Sequence, residues 1–209
     1  MSNGISLGVM ASHGGSNLQA ILDACSDGRL NGNVCVVISN NSRSRSLQRA
    51  RQAGVPALHL SSVTHPDPER LATEILVSLR KYEVDIVILA GYMRKVGTTI
   101  LKAFPRRVLN SHPALLPNYG GRGMYGDRVH SAVLEAGDDE SGISIHLADD
   151  VYDHGRLVAQ VKIEVKPSDD LNALRKRIQI REHSFWVETL QKISTGEINL
   201  DESPLERLA

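Results

Sequence analysis

Through the first 110 positions, runs of β-branched and aliphatic residues alternate with amphipathic stretches, and this alternation constrains the chain more than any other feature. Residues 5–11, 34–39 and 84–90 are continuous apolar segments of strand length, without the polar alternation of a sheet that has one wet face. Strands buried on both faces need such runs. Between them, residues 16–24 place Leu18, Ile21 and Leu22 at helical spacing. Residues 42–53 read as a polar helix closed by Gly54, and residues 68–82 carry Leu71, Ile75, Leu76 and Leu79 on one face. Shorter strands are expected at 57–60 and 107–110, and a short helix at 97–104. Units of this size join parallel strands through right-handed crossovers, so an α/β, doubly wound sheet is expected.

The second half departs from that rhythm. Residues 129–136 read as a helix, and 143–147 and 157–165 as two strands, antiparallel around the acidic loop 149–155. A long helix at 171–193 is followed by a polar tail at about 196–209. One domain spanning residues 1–209, with a mixed sheet in its C-terminal half, is the expectation.

Lys and Arg number 24, as do Asp and Glu, and this balance argues against a dedicated nucleic-acid binder, which needs a basic excess. No stretch approaches the roughly 20 apolar residues of a membrane span. Met1-Ser2-Asn3-Gly4 has no basic region of a secretory signal. Cys25 and Cys35 form no CxxC pair, so they read as two small buried thiols in a reducing compartment. A cytoplasmic protein without nucleic-acid or membrane partners is expected.

Three segments carry candidate chemistry. Gly14-Gly15-Ser16-Asn17 joins the first strand to the first helix, where free amides attract an anion. The spacing is not that of a dinucleotide fingerprint, and an ordinary turn capped by Ser16 fits the same residues. Asn110 and His112 are two apart at a strand end, so both point the same way, at the edge of the sheet where ligands bind in α/β folds. Pro113 and Pro117 stiffen the exit. In the acidic loop, a carboxylate beside His112 would raise its pKa and set its tautomer. His112, His146, His154 and an aspartate make a metal site a rival, but HxH and HxxxH spacings are missing, and no metal is expected.

In combination these segments form a pattern: Ser12-His13-Gly14-Gly15-Ser16-Asn17, Gly91-Tyr92-Met93-Arg94, Asn110-Ser111-His112-Pro113-Ala114-Leu115-Leu116-Pro117, Gly142-Ile143-Ser144-Ile145-His146 and Asp153-His154-Gly155, in that order. The chain resembles the folate-dependent phosphoribosylglycinamide formyltransferases from Ile5 to about Leu200. The resemblance implies a Rossmann-like sheet, with a phosphate-binding half at about 1–100 and a catalytic, folate-binding half at about 101–200. It implies transfer of a formyl group from 10-formyltetrahydrofolate, as co-substrate, to the amine of glycinamide ribonucleotide in purine synthesis, by a monomer or homodimer. Gly15, Ser16 and Asn17 match the phosphate-binding residues, and Gln179 and Glu182 the ribose side. Met93, Arg94, Lys95 and Val96 match one wall of the folate pocket. Asp149, Asp150, Val151, Tyr152 and Asp153 match the loop that closes over it. Asn110, His112 and Asp153 match the catalytic trio, in which the Asn110 amide and a protonated His112 would donate to an oxyanion while Asp153 raises the imidazole pKa. The glycine-rich loop 120–126 is a candidate lid.

Two other readings share part of this pattern. A formyltetrahydrofolate hydrolase has the same trio, but usually carries a further domain before the first strand, and a start at Ile5 leaves no room for one. A non-catalytic phosphate-ligand-binding module would need only the Gly15–Asn17 turn, and the intact trio weighs against it.

Overall fold

The computed structural model describes residues 4–202. Seven strands form one sheet in the order β3-β2-β1-β4-β5-β6-β7. They are β1 (Ile5–Met10), β2 (Gly32–Ser39), β3 (Ala57–His59), β4 (Ile86–Leu89), β5 (Val108–His112), β6 (Glu140–Leu147) and β7 (Leu157–Glu164). The first five are parallel, while β6 and β7 run antiparallel to their neighbours. This is the mixed α/β sheet expected from the alternation.

Helices cover both faces because the central strands are apolar on both. On one side α1 (Ser16–Ser26), α2 (Arg45–Gln52), α5 (Asp127–Ala136) and α6 (Leu171–Ser194) bury Leu18, Leu47, Val133 and Trp186 against Leu7, Val9 and Leu109. On the other, α3 (Pro68–Lys81) and α4 (Thr98–Ala103) bury Ile75, Leu79 and Ile100 against Val36, Val87 and Val108. Val108 and Leu109 therefore face opposite layers, as the two-residue pleat requires.

Helix starts follow local chemistry. Asp67 accepts the amide protons of Glu69 and Arg70 at 2.8 and 2.9 Å, and Pro68 opens α3 at the residue its sequence suggests. α2 starts later than residue 42, because Asn41 and Ser44 cap successive turns: the Asn41 side chain accepts from the Arg43 amide and Ser44 from that of Ser46. β5 runs past residue 110 because antiparallel pairing to β6 continues through His112 opposite Ser144.

Two expectations need correction. Cys25 and Cys35 are half-buried free thiols rather than buried ones, and desolvation pushes Cys25 up to about 11. The segment after α6 is not simply polar. Leu200 is buried in the core, and the Arg156 guanidinium donates to the carbonyls of Leu200 and Glu202 at 2.8 and 2.7 Å. Residues 203–209 of the expected tail lie outside the described residues. No described helix is long and apolar enough to cross a membrane.

Candidate active site

The carboxyl ends of β1 and β4 lie side by side where the strand order reverses, and α/β sheets open a crevice at such a point. A cavity of about 710 Å³ occupies it and extends along β5. Asn110 and His112 project into it from the same face of β5, two residues apart. The loop after β6 folds back over this face and brings Asp153 to them.

Asp153 is the hub. One carboxylate oxygen lies 3.4 Å from His112 Nδ1 and accepts the Gly121 amide proton at 3.0 Å, and the other lies 3.5 Å from His146 Nε2. Asp153 holds this position with φ at 55°, in the left-handed region that Asp tolerates better than most residues. Burial works to raise its pKa, but the neighbouring His146 and His112 rings and the Gly121 amide outweigh it. The carboxyl stays below the ordinary carboxylate range.

The His112 Nε2–H donates to the Tyr119 carbonyl at 2.8 Å. A carbonyl only accepts, so in the neutral ring the lone pair sits on Nδ1, facing Asp153. Tyr119 presents that carbonyl from a strained backbone, with φ at 57°. Its hydroxyl is anchored by donation to Asp138 at 2.5 Å. The expected rise in the His112 pKa does not occur. Burial lowers it, the Asp153 carboxylate and Tyr119 carbonyl recover only part of that, and the net position is below an ordinary imidazole.

His146 is the residue the sequence reading missed as a partner of the trio. Its Nδ1–H donates to the Leu147 carbonyl at 3.0 Å, which leaves the Nε2 lone pair to accept from the Asn110 amide at 3.1 Å. Asn110 is thereby oriented with its second N–H free. The signal was the pairing of Asn110 with His146 across β5 and β6, which the motif order alone does not reveal. Ser144 also went unmarked. Its hydroxyl donates to the Ala114 carbonyl at 2.7 Å and accepts from the Leu116 amide and Gln160, pinning the loop after His112.

At the other end of the cavity, α1 begins after Gly15 at φ 66°, and no side chain caps its first turn. The Ser16, Asn17 and Leu18 amides therefore have no side-chain cap, and Ser16 is not the cap its sequence allowed. Gly15 is required twice: a Cβ there would lie 2.8 Å from that of Ser46, and its φ disfavours a side chain. Gln179 reaches Ser16 Oγ at 3.4 Å from α6. Glu182 accepts from Ser111 Oγ at 2.6 Å, and Trp186 donates to the same hydroxyl at 3.2 Å. Burial raises the Glu182 pKa against the donors Ser111 and Asn17.

Met93, Arg94, Lys95 and Val96 line the facing wall, as do Asp149, Val151 and Tyr152 from the loop. Lys95 Nζ lies over the Tyr152 ring at 5.9 Å, linking the two. Asp150 is exposed and lies outside the wall, and Gly15 and Ser16 only border the cavity beside Asn17. Among the described residues, no three of His, Cys, Asp and Glu are placed to hold a metal ion.

The loop is anchored by close backbone packing at Gly155, where any Cβ would collide with the Leu147 carbonyl. Because both sides of that contact are main chain, neither yields. Gly155→Ala should cost about 3 kcal/mol and displace Asp153, two residues away. Urea denaturation of the variant, with activity measured alongside, checks both effects.

Residues 6–190 match the formyl transferase family. The chain is 42% identical over 188 residues to the chloroplastic phosphoribosylglycinamide formyltransferase of Arabidopsis thaliana, covering 90% of this chain and 64% of that protein. It is 34% identical over 195 residues to the phosphoribosylglycinamide formyltransferase of Escherichia coli K12, covering 93% of this chain and 90% of that one. The crystal structure of glycinamide ribonucleotide transformylase 1 from Symbiobacterium toebii superimposes with a TM-score of 0.89 at 36% identity, covering 100% of this chain and 96% of that one. A matched domain, an Escherichia coli relative covered over 90% of its length and a shared fold agree: the chain belongs to the formyl transferase family.

Proposed function

We propose that this protein transfers a formyl group from 10-formyltetrahydrofolate to the amine of glycinamide ribonucleotide, giving formylglycinamide ribonucleotide and tetrahydrofolate. The observation that carries this reading is the single cavity joining an uncapped helix N-terminus to the Asn110–His112–Asp153 cluster. It offers an anion site and an acyl-transfer site in one space. The wall from Met93 to Val96, with Val151 and Tyr152 opposite, sets apolar surface beside the charges of Arg94 and Lys95, which suits a flat, partly polar ring. Residues of the first 100 positions hold the phosphate, with Gln179 and Glu182 returning from α6 to the ribose. Residues of about 101–200 carry the catalysis and, with the Met93–Val96 wall, the folate site. We place the protein in the cytoplasm, as a monomer or homodimer, on the strength of its balanced charge and family.

The reaction forms a bond from the acceptor nitrogen to the formyl carbon and breaks the bond from that carbon to N10. The free N–H of Asn110 donates to the oxygen as charge develops there, a contact worth about 3 kcal/mol in comparable sites. Neutral His112, its lone pair held on Nδ1 by the Tyr119 carbonyl, takes the proton of the attacking amine. Asp153 faces the imidazolium so formed, and the proton then passes towards the departing N10. The ring therefore begins neutral, and donation to the oxyanion by a ring protonated from the outset is not needed.

The test is an assay with formyl donor and glycinamide ribonucleotide. Acceptor-dependent release of tetrahydrofolate supports the reading. Release that ignores the acceptor identifies a hydrolase, and phosphate-ligand binding without turnover identifies a binding module. The pH profile follows from the depressed His112 pKa. The free enzyme must keep His112 neutral, so kcat/KM should carry an acid-side enzyme limb below the pKa of an ordinary imidazole, separate from the limb at about pH 8 that the acceptor's own amine contributes. An enzyme limb at or above the ordinary imidazole pKa would contradict it.

A further inference from the structure

Arg175, Ile178, Gln179 and Glu182 follow the i, i+3, i+4, i+7 spacing of one face of α6, and all four line the main cavity. Ile178 is buried at 1% exposure, which identifies this face as the inward one. Arg175 stands one turn before Gln179, about 6 Å along the axis. It is the cationic member of the stripe, and the proposed reaction leaves it without a role.

Its guanidinium is held in place but not saturated. Nη1 is shared between the two carboxylate oxygens of Asp127, at 3.1 Å each, and Nη2 donates to Asn172 Oδ1 at 2.8 Å. Arginine carries five N–H donors, and Nε makes no hydrogen bond among the described residues. The side chain is 46% exposed, so the remaining donors are open to a ligand. Asp127 is the first residue of α5, directly after loop 120–126, so this pair ties the glycine-rich wall of the cavity to α6.

Charge balance gives this arginine a task. A phosphate monoester carries close to two negative charges at neutral pH. The donors assigned to it, the first-turn amides of α1 with Ser16 and Asn17, are all neutral, and Glu182 beside them is an acid. Arginine suits such an anion through its planar fork. Arg128 is a poorer candidate, because from α5 it stacks on Tyr125 of the loop at 5.2 Å.

We propose that Arg175 is the guanidinium that recognises the 5′-phosphate of the ribonucleotide acceptor, exchanging its shared contact with Asp127 for phosphate oxygens. The inference rests on the reading of this cavity as the acceptor site. It makes α6 a continuous recognition strip, phosphate at Arg175, ribose at Gln179 and Glu182.

Steady-state kinetics of wild type, Arg175→Gln and Arg175→Lys, with glycinamide ribonucleotide and its dephosphorylated riboside as acceptors, test it. Arg175→Gln should raise KM for the ribonucleotide about 30-fold, with kcat and the KM of the formyl donor changed by less than about twofold. The preference for ribonucleotide over riboside should collapse by the same factor, and Arg175→Lys should recover part of it. An unchanged KM for the ribonucleotide, or an equal loss with both acceptors, overturns the inference while leaving the reaction standing. A wild-type enzyme that formylates neither acceptor overturns the functional reading itself, and this inference with it.

Discussion

Replacing His112 by alanine should lower kcat about 1000-fold, with little change in the KM of either substrate. His112 is 3% exposed at the end of β5, and its neutral ring, with the lone pair on Nδ1, is the base of the proposed reaction. Alanine leaves the amine's proton without a positioned acceptor, and water in the vacated space cannot match a base tuned by burial. The backbone pairing of His112 with Ser144 and the packing of Leu109 do not depend on the ring, so the fold should persist. Single-turnover kinetics with a circular dichroism spectrum unchanged from wild type would check both halves. Turnover within about tenfold of wild type would remove His112 from the chemistry.

Asp153→Asn should be nearly as severe, at about 100-fold or more in kcat, but with a different signature. The introduced amide oxygen can still accept from Gly121, so the loop should keep its place. What disappears is the charge that faces His112 Nδ1 at 3.4 Å. Asp153 is what partly restores an imidazole pKa that burial depresses, so its neutralisation must lower that pKa further. The acid limb of kcat/KM should therefore move to lower pH while the plateau falls, because the imidazolium formed during the reaction has lost its partner. A fall in kcat without displacement of the acid limb would mean that Asp153 serves the loop and not the proton.

Much of this architecture was legible beforehand because it is written in local periodicity. Continuous apolar runs announce strands buried on both faces, and Pro68 after Asp67 announces a helix start, since each signal lies within a few residues of its effect. Asn110 and His112 were legible as a pair for the same reason: two residues on one strand must share a face. The resemblance to a formyltransferase added Asp153, Gln179 and Glu182, which no spacing argument connects to β5.

Long-range contact was legible only in part. His146 lies 36 positions from Asn110, and its role arises from an antiparallel register and from the Leu147 carbonyl that takes its other proton. Arg175 appears in the sequence as one more charge on a mostly polar helix. Its significance depends on which face of α6 turns inward, and buried Ile178 decides that.

The sequence by itself determined the order and type of the elements, and with the family pattern which side chains belong to the site. Only the tertiary structure decided their protonation and aim. A pKa is set by the dielectric and charges around a group, and those come from segments remote in the chain. The family resemblance placed Asp153 beside His112 and implied an upward pull on its pKa. The packed structure buries the ring deeply enough to reverse the sign, and a strained Tyr119 carbonyl settles which nitrogen is left to act.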